Sequence, residues 1–256
     1  MDTKLSVELP GRSLPAGRGW AWIPAGWALF TGAPLMWVIT IVLLFVMALA
    51  MSLLPILGSL AFQVLMPVIS GGLFRACYNL EQGGEFELDS LLSGFKDGFG
   101  PLALLGVIFT VASVVIILIM AGIMGFSVLG ALMSAGSEDG LAAVAGSIMA
   151  VLLGTLVGLV LMVPLMAAYW FAPALVAMNN VAPVEALKAS LFACLRNFIP
   201  FLVYSIVMTV LAVIAVIPFG LGMLVWIPLM MTTTYVAYRE IFTSEAAPPK
   251  PPATMV

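Results

Sequence analysis

The apolar stretches of this chain contain few polar side chains, and two of these could contact a substrate. Gln63 lies well inside one stretch, and Arg75 lies near the end of the same stretch. A polar group inside a membrane span is a functional candidate, although an amide more often hydrogen-bonds to a neighbouring helix. Gln63 therefore predicts either an interhelical hydrogen bond or a substrate contact. Arg75 predicts either an anchor that reaches lipid phosphates or a role in transport. It could alternatively pair with Glu81 or with an acidic residue of the amphipathic segment that follows.

Three further residues complete the set of candidate lipid- or ligand-binding side chains: Asn79, Tyr169 and Arg196. Asn79 lies at a predicted helix end, where an amide can hydrogen-bond to carbonyl groups that the helix leaves free. Tyr169 belongs to the same region of the predicted bundle as Gln63 and Arg75. A ligand there would be uncharged or lipid-like, because the predicted spans hold no acidic residue that could relay protons or ions.

Most catalytic and metal chemistry has no residues to support it. The chain has no histidine, the commonest general acid–base group and metal ligand. Its acidic segment lacks the spacing of a calcium-binding loop and predicts a solvated face, made by Glu81, Glu85, Glu87 and Asp89. The 17 methionines are spread over all the apolar stretches, as expected for packing rather than a copper path. We therefore expect no enzymatic activity, no metal and no cofactor.

The composition indicates a membrane protein. Of 256 residues, 63% are hydrophobic and 8% are charged, and the mean hydropathy is +1.22. A soluble domain carries roughly a quarter charged residues, so this chain cannot cover a water-exposed surface. The nine basic residues form no run, which predicts no nucleic-acid binding. Cys77 and Cys194 lie far apart in the sequence, and we expect reduced thiols that pack as small apolar side chains.

The apolar stretches predict an all-α, polytopic membrane bundle of six transmembrane helices over residues 35–54, 60–80, 101–133, 141–178, 198–217 and 223–242. This membrane domain, residues 35–242, follows a cytoplasmic tail and an interfacial helix within residues 1–34. A Pro-rich cytoplasmic tail, residues 243–256, is predicted to be disordered. Ala48-Leu49-Ala50 resembles a signal-peptide cleavage site, but the length of the first apolar stretch favours an uncleaved signal anchor.

The third and fourth stretches are longer than a bilayer requires. Some 33 residues of helix span about 50 Å, whereas the hydrocarbon core is roughly 30 Å thick. The third helix should therefore tilt, protrude or break at Gly122 or Gly125. The fourth helix should kink at Pro164 and Pro173.

Three segments outside the predicted spans indicate contact with the membrane surface. Residues 1–19 are rich in Gly and Pro and predict a mobile segment, and residues 20–30 predict a helix on the cytoplasmic surface. Aromatic side chains at headgroup depth are typical interfacial anchors, and here they are Trp20, Trp22, Trp27 and Phe30. Residues 81–97 and 183–197 predict two amphipathic helices, the second with Pro183 and Glu185 in its first turn.

The distribution of charge determines the predicted topology. With six helices and a cytoplasmic N-terminus, all nine Lys and Arg residues fall on the cytoplasmic side and none in an outer loop. This is the pattern of the positive-inside rule. Dividing the fourth stretch into two spans would place Lys188, Arg196, Arg239 and Lys250 outside. Six helices with both termini in the cytoplasm are therefore favoured over seven.

An internal repeat is one interpretation of the segments that follow the two cytoplasmic loops. Residues 99 positions apart are identical at Leu88, Leu92, Phe99, Pro101, Thr110, Val111 and Val114, which match Leu187, Leu191, Phe198, Pro200, Thr209, Val210 and Val213. Both units begin on the same side of the membrane, so the repeat would be a parallel arrangement of three plus three helices. Chance identity between apolar segments is the alternative.

The N-terminal aromatic segment also carries a family resemblance. Gly19-Trp20-x-Trp22-Ile23-x-x-Gly26-Trp27-x-Leu29-Phe30-x-x-x-Pro34-x-x-Trp37 resembles the signature of a bacterial family of six-helix inner-membrane proteins whose activity is unassigned. Gly71-Gly72 through Gly94-Phe95 and Gly100-Pro101 are similar to its second signature. Residues 183–190 show a short similarity to the membrane domain fused to some glycerophosphodiester phosphodiesterases. This resemblance implies no phosphodiesterase activity, because the soluble catalytic half is missing.

Two functions are consistent with these features. The first is a non-enzymatic scaffold or accessory protein of the bacterial inner membrane that contacts lipid of the inner leaflet. The second is a carrier or channel for lipid-like or uncharged small solutes, centred on Gln63, Arg75 and Tyr169. The expected partners are membrane lipids, with other membrane proteins or further copies of the chain as alternatives.

Overall fold

A computed structural model describes residues 7–134 and 140–243 of the chain. Apart from an isolated bridge between Val7 and Thr243, these ranges contain only helices and their connections. The helices are α1 (Arg18–Gly32), α2 (Pro34–Ser52), α3 (Pro55–Glu81), α4 (Asp89–Lys96), α5 (Phe99–Met133), α6 (Gly140–Trp170), α7 (Ala172–Asn179), α8 (Pro183–Arg196), α9 (Phe198–Val216) and α10 (Met223–Phe242). The prediction of an all-α protein is confirmed. The predicted outer loop with Glu138 and Asp139, and the predicted tail beyond Thr243, lie outside the described residues.

Within residues 7–134 and 140–243, five helical segments are long and apolar enough to cross a membrane: Pro34–Ser52, Pro55–Glu81, Phe99–Met133, Gly140–Asn179 and Phe198–Val216. The fourth of these combines α6 and α7. Helix α10 matches the bounds of the predicted sixth span but lacks the apolar character of the other five. The chain is therefore an all-helical membrane protein with five apolar candidate spans.

Some observed helix boundaries differ from the predicted ones. The predicted spans leave residues 55–59 between the first two helices, but α3 already begins at Pro55, so the turn after α2 is tighter. This turn needs Gly58, since a Cβ there would lie 1.8 Å from the carbonyl oxygen of Met51. Helix α5 is continuous and has no break at Gly122 or Gly125. Helix α6 continues through Pro164 to Trp170. Phe171 separates it from α7, which has Pro173 in its first turn.

The chain divides into two compact units, and α10 forms the core of the larger one, which comprises residues 7–106 and 168–243 of the described chain. Helix α10 packs against α1, α2, α3 and α9. Its buried side chains include polar ones, namely Thr232, Thr233, Tyr235 and Tyr238. The hydroxyls of Tyr204 in α9 and Thr233 lie 2.7 Å apart and share a hydrogen bond. The polar side of α10 is thus turned towards neighbouring helices.

Helix α1 lies against this core helix instead of standing apart from it. A Cβ at Gly26 would lie 2.8 Å from the backbone nitrogen of Thr233, so only glycine allows the two backbones to approach this closely. Trp22 and Phe30 are buried on the same side of α1. The aromatic helix predicted from the sequence is therefore present, and one of its faces is part of the protein core.

The smaller unit, residues 107–167, is a pair of apolar helices formed by most of α5 and α6. Gly154 and Gly158 face Met124 and Met120 across the pair. A Cβ at Gly158 would lie 2.3 Å from the sulfur of Met120, so these small residues allow close packing. Large apolar side chains elsewhere on the pair are exposed, as expected for a surface that contacts lipid.

Residues 7–14, which we call the strap, contradict the prediction of a mobile N-terminal segment. The backbone N–H groups of Glu8 and Arg12 donate to the carbonyl oxygens of Phe242 and Ile241, each at 2.8 Å. The N–H of Leu14 donates to the side-chain oxygen of Asn197, also at 2.8 Å. The strap therefore runs along the end of α10 and the junction of α8 and α9. Composition alone suggested mobility because the strap's partners are distant in the sequence.

Candidate functional site

Five polar side chains of the larger unit, four of them charged, lie where α1 begins and where α3, α7 and α10 end. We call this region the polar end and define it by Arg18, Glu81, Asn179, Arg239 and Glu240. Each is brought there by a helix terminus: Arg18 begins α1, Glu81 ends α3, Asn179 ends α7, and the last two residues lie in the final turn of α10. The polar end is the part of the described molecule with the greatest concentration of buried charge.

Glu81 and Arg239 form a buried ion pair. The Nε atom of Arg239 lies 3.1 Å from a carboxylate oxygen of Glu81, and the two side chains are 7% and 2% exposed. The hydroxyl of Tyr235, one helical turn earlier in α10, donates to the same carboxylate oxygen. Burying two charges costs several kcal/mol of desolvation per ion, which only their mutual attraction and added hydrogen bonds can offset. The buried carboxylate of Glu81 thus has two partners, Arg239 and Tyr235.

A second pair lies next to the first on α10. The Nε atom of Arg18 lies 2.5 Å from one oxygen of Glu240, and the indole N–H of Trp22 donates to the other at 2.8 Å. The hydroxyl of Tyr238 donates to the side-chain oxygen of Asn179. Adjacent residues of α10 therefore hold three different helices, namely α1, α3 and α7.

These contacts correct two predictions. Arg239 was counted among the basic residues on the cytoplasmic side of the spans, but it lies inside α10 and is buried. The predicted spans were expected to contain no acidic residue, yet α10 contains Glu240, and Glu81 is buried at the end of α3. The sequence contained one indication of these contacts. Helix α10 has more polar residues than is expected of a helix that faces lipid, which implies contact with protein. Sequence reasoning overlooked it because the partners lie on helices far apart in the chain.

Arg75 bridges three helices. Its guanidinium donates to the carbonyl oxygens of Ser93 at 2.8 Å, Asp97 at 2.7 Å and Ala177 at 3.2 Å, and it lies 3.8 Å from the Asp97 carboxylate. These acceptors belong to α4, its C-terminal cap and α7. Of the predicted alternative partners, Arg75 pairs with Asp97 of the amphipathic segment and not with Glu81, which pairs with Arg239. Arg75 thus fixes α4 and α7 against α3.

The other candidate ligand-binding residues are dispersed. Gln63 is half-buried, and its side chain makes no hydrogen bond to another residue of the described chain. Asn79 is half-buried near the end of α3, where its carbonyl accepts the N–H of Gly84 at 2.9 Å. Tyr169 is half-buried near the end of α6, and exposed Arg196 donates to the carbonyl of Gly11 at 3.1 Å. No hydrogen bond or ion pair within residues 7–134 and 140–243 joins Gln63, Arg75, Asn79 or Arg196 to one another.

The four predicted interfacial anchors divide into two pairs. Trp20 and Trp27 are 60% and 47% exposed, and their availability to lipid stays a prediction. Trp22 and Phe30 are 0% and 5% exposed, so the prediction that they contact lipid is wrong. The physical reason is helical spacing: Trp22, Gly26 and Phe30 recur every four residues and together form the face that packs on the protein.

The acidic segment also divides. Glu85 and Glu87 are exposed, and Asp89 pairs with Lys96 at 2.7 Å on the surface of α4. Glu81 is buried, so the predicted solvated face is wrong for this residue. Glu85 and Glu87 line a groove of about 590 Å³ together with Gly32, Ala33, Met36, Leu80, Gly84, Phe86 and Leu88. Within the described residues, no group of three His, Cys, Asp or Glu side chains has metal-binding geometry.

Both cysteines are free thiols. Cys77 is fully buried in α3, and Cys194 is half-buried in α8. Burial raises the pKa of the Cys194 thiol to about 12, although a hydrogen bond with Ser190 acts in the opposite direction. A thiol of such high pKa is a poor nucleophile near neutral pH, so neither cysteine offers covalent chemistry at the polar end.

Comparison with known proteins supports the membrane assignment. A protein of Burkholderia thailandensis named "probable inner membrane protein" is 28% identical over 262 residues, which cover 93% of this chain and 96% of the relative. No family model matches the chain, and no solved structure is similar to it. The chain is therefore an integral membrane protein that is similar, over nearly its whole length, to a bacterial protein named for the inner membrane.

Proposed function

We propose that the chain is a non-enzymatic scaffold or accessory protein of the inner membrane, whose polar end faces the cytoplasm and contacts inner-leaflet lipid. The observation that carries this proposal is the state of its charged side chains. Those of the polar end, together with Arg75, are engaged with one another or with backbone carbonyls. Such groups stabilise an assembly of helices and are poorly placed to bind and release a substrate.

Helix α10 is the sixth span in this proposal. Its 20 residues correspond to about 30 Å of helix, which matches the hydrocarbon core. Its polar side chains need not meet lipid, because Thr232, Thr233, Tyr235 and Tyr238 are buried. A polar helix can cross a bilayer when other helices surround it.

The contacts of the polar end support a cytoplasmic location for both termini. The strap, which contains Arg12, lies against the end of α10, and the junction of α8 and α9 lies against the strap. Arg18, Arg75, Arg196 and Arg239 all contact residues of the polar end or of the segments that adjoin it. Basic residues that the positive-inside rule assigns to one side thus lie near one another in space.

The two short amphipathic helices provide the proposed lipid contact. Helix α8 buries its small residues, while Phe192 and Leu195 are exposed beside the basic residues Lys188 and Arg196. Helix α4 likewise exposes Leu92 and Phe95. Exposed apolar side chains flanked by lysine or arginine are typical of helices that lie in the headgroup region of an anionic leaflet.

We also infer a parallel duplication of three helices. Helices α5 and α9 begin at Phe99 and Phe198, which occupy equivalent positions of the repeat. The α3–α4 and α7–α8 pairs approach at equivalent positions as well: a Cβ at Gly72 would lie 2.6 Å from the carbonyl oxygen of Leu91, and the N–H of Phe171 donates to Ser190 at 3.0 Å. If the sequence identities between the two units had arisen by chance, contacts at equivalent positions would not be expected.

Partner capture tests the scaffold role. The full chain, extracted from native membranes with its surrounding lipid by an amphipathic polymer, should carry other membrane proteins or further copies of itself in defined amounts. Isolation as a lone monomer under these conditions would contradict the proposal. Reporter fusions after Thr243 and at the α9–α10 turn test the six-span topology: the first should report a cytoplasmic location and the second an outer one.

A carrier for uncharged or lipid-like solutes is the second candidate. Its support comes from Thr110 and Ser113, buried one turn apart on α5, whose hydroxyls have no hydrogen-bond partner in the described part of the chain. Single cysteines at these positions should react with a small membrane-permeant thiol reagent if they line a solvated path. Complete protection of both would remove the support for transport.

A further inference from the structure

The strap is held mainly by its backbone. The N–H groups of Glu8 and Arg12 donate to α10 carbonyls, and the Arg12 guanidinium donates to the carbonyl oxygen of Thr243. The last carbonyls of a helix have no partner within that helix. The strap therefore occupies acceptors that the end of α10 leaves available, in the way that a bound peptide would.

Asn197 contacts the strap from the other side. Its side-chain oxygen accepts the N–H of Leu14, and its side-chain nitrogen donates to the carbonyl of Arg12, both at 2.8 Å. The same nitrogen donates to the carbonyl of Ala193 at 2.9 Å, which orients the amide. Asn197 is completely buried. A buried amide that pairs with one N–H and one C=O of a neighbouring segment recognises peptide backbone in general.

Two strap residues add selectivity. Gly11 has a φ of +93°, and a Cβ at this position would lie 2.8 Å from the side chain of Ile241, so the site favours glycine. The next residue, Arg12, places its guanidinium on the Thr243 carbonyl at the end of α10, where a positive charge is favourable. The site thus selects a glycine in the left-handed backbone region followed by a basic residue.

The strap is also suited to local release. Of its eight residues only Gly11 is buried, and the side chains of Glu8, Leu9, Arg12 and Ser13 are exposed. Segments with few buried apolar contacts open at much lower free energy than the core. The polar end, by contrast, is held by buried ion pairs. The strap can therefore detach while α10 stays in place.

We propose that Arg196, Asn197 and the last residues of α10, Ile241–Thr243, form a peptide-binding groove that the strap occupies in cis. A Gly-Arg segment of a partner protein that adopts the backbone conformation of the strap competes with it for this groove. The proposal that a partner protein binds to this groove rests on the proposed scaffold function, whereas the binding of the strap to the groove does not. Release of the strap would expose the groove, so partner binding would be regulated by the chain's own N-terminal segment.

Hydrogen exchange of the full chain in lipid nanodiscs tests the release. The amides of Glu8, Arg12 and Leu14 should be protected, yet exchange at least about tenfold faster than the amides in the middle of α10. Exchange of both regions at one common rate would overturn the proposal, because the strap would then open only when the protein unfolds. Complete absence of protection in the strap would overturn it as well.

Peptide binding tests the groove. A labelled octapeptide with the sequence of residues 7–14 should bind the full-length Gly11→Ala/Arg12→Ala variant, and bind wild type at least about tenfold more weakly, because the native strap competes. A peptide carrying the Gly11→Ala change should bind the variant about tenfold more weakly than the native octapeptide. Hydrogen exchange of the variant should show a deprotected strap and an unchanged α10.

Equal binding of the two peptides, no binding at all, or a strap that stays protected in the variant would each overturn the proposal. These results do not depend on partner capture from native membranes. Failure of the peptide experiment with successful partner capture would leave the scaffold function standing without this groove. The reverse result would preserve the groove and remove the scaffold function.

Discussion

Helices α6 and α10 illustrate two ways in which a helix of this protein is accommodated. Helix α6 is apolar along its length, and most of its large side chains, such as Leu152, Leu156 and Val160, are exposed. Helix α10 carries threonines, tyrosines, an arginine and a glutamate, and most of it is buried. Hydropathy therefore identifies helices that can face lipid, whereas a helix surrounded by others can be polar.

The difference implies two sources of stability. In α10, charges and hydroxyls are matched with partners from other helices, so the loss of one partner leaves a buried polar group unsatisfied. In the α5–α6 pair, small residues allow apolar side chains to pack closely, as at Gly158 and Met120. Substitutions at the polar end should therefore cost more than substitutions in the apolar pair.

The largest expected effect follows removal of Arg239. The Arg239→Met variant leaves the buried Glu81 carboxylate without its cation and should lower the free energy of unfolding by about 3–5 kcal/mol. The matched control is Lys96→Met, which breaks the exposed pair with Asp89 and should cost no more than about 1 kcal/mol. Reversible unfolding in mixed micelles measures both. Equal losses would show that the polar end does not depend on its buried charges.

A double substitution sharpens this test. Replacing both partners, with Glu81→Met and Arg239→Met, removes both charges from the core. The double variant should regain part of the stability lost by Arg239→Met, because no unpaired charge remains. A double variant less stable than the single one would show that the carboxylate has other essential partners, of which Tyr235 is one.

A smaller effect is expected in the apolar helix pair. The Gly158→Val substitution places side-chain atoms where Met120 packs and should cost about 1–3 kcal/mol through overpacking. Gly146→Val on the same helix is the control, since a Cβ there meets no atom within 4 Å. The same unfolding measurement compares the two. If both variants match wild type, close packing at Gly158 contributes little to the stability of this pair.

The two faces of α1 give a finer comparison. Trp22→Phe keeps an aromatic ring but removes the N–H that donates to Glu240, and should cost about 1–2 kcal/mol. Trp20→Phe, on the exposed face, should leave the free energy of unfolding unchanged within about 0.5 kcal/mol. An equal cost for both would mean that the hydrogen bond to Glu240 adds nothing to stability.

Local and compositional features of the fold could be predicted from the sequence. Long apolar stretches predicted most of the membrane helices, and Pro183 and Glu185 correctly indicated the first turn of α8. These features depend on neighbouring residues, whose spacing the sequence displays directly. The bounds of α10 were also correct, and the proline and glycines that precede it indicate its start.

The candidate site was predicted poorly, because it depends on contacts between distant segments. Arg75 was a predicted ligand-binding residue, but its acceptors are backbone carbonyls, which every residue possesses and no sequence pattern distinguishes. The Glu81–Arg239 pair joins the ends of two helices that many residues separate. Asn197 ends a predicted amphipathic segment, and its contacts join it to strap residues that are distant in the sequence.

The smallest expected effect concerns Cys194 in α8. Its reactivity reports whether α8 is shielded from water as the end of α10 is. Burial raises the pKa of Cys194 to about 12, so the thiolate fraction at pH 7–9 is low and rises about tenfold per pH unit. Alkylation of folded protein, mapped by mass spectrometry, should follow this slope, whereas an ordinary thiol levels off above a pKa of about 8.5. In the Cys194→Ser variant, alkylation at position 194 should disappear. The remaining cysteine, Cys77, is fully buried and should stay unlabelled. A plateau by pH 9 would show that α8 is as hydrated as a surface helix, and the protection from water would then belong to α10 alone.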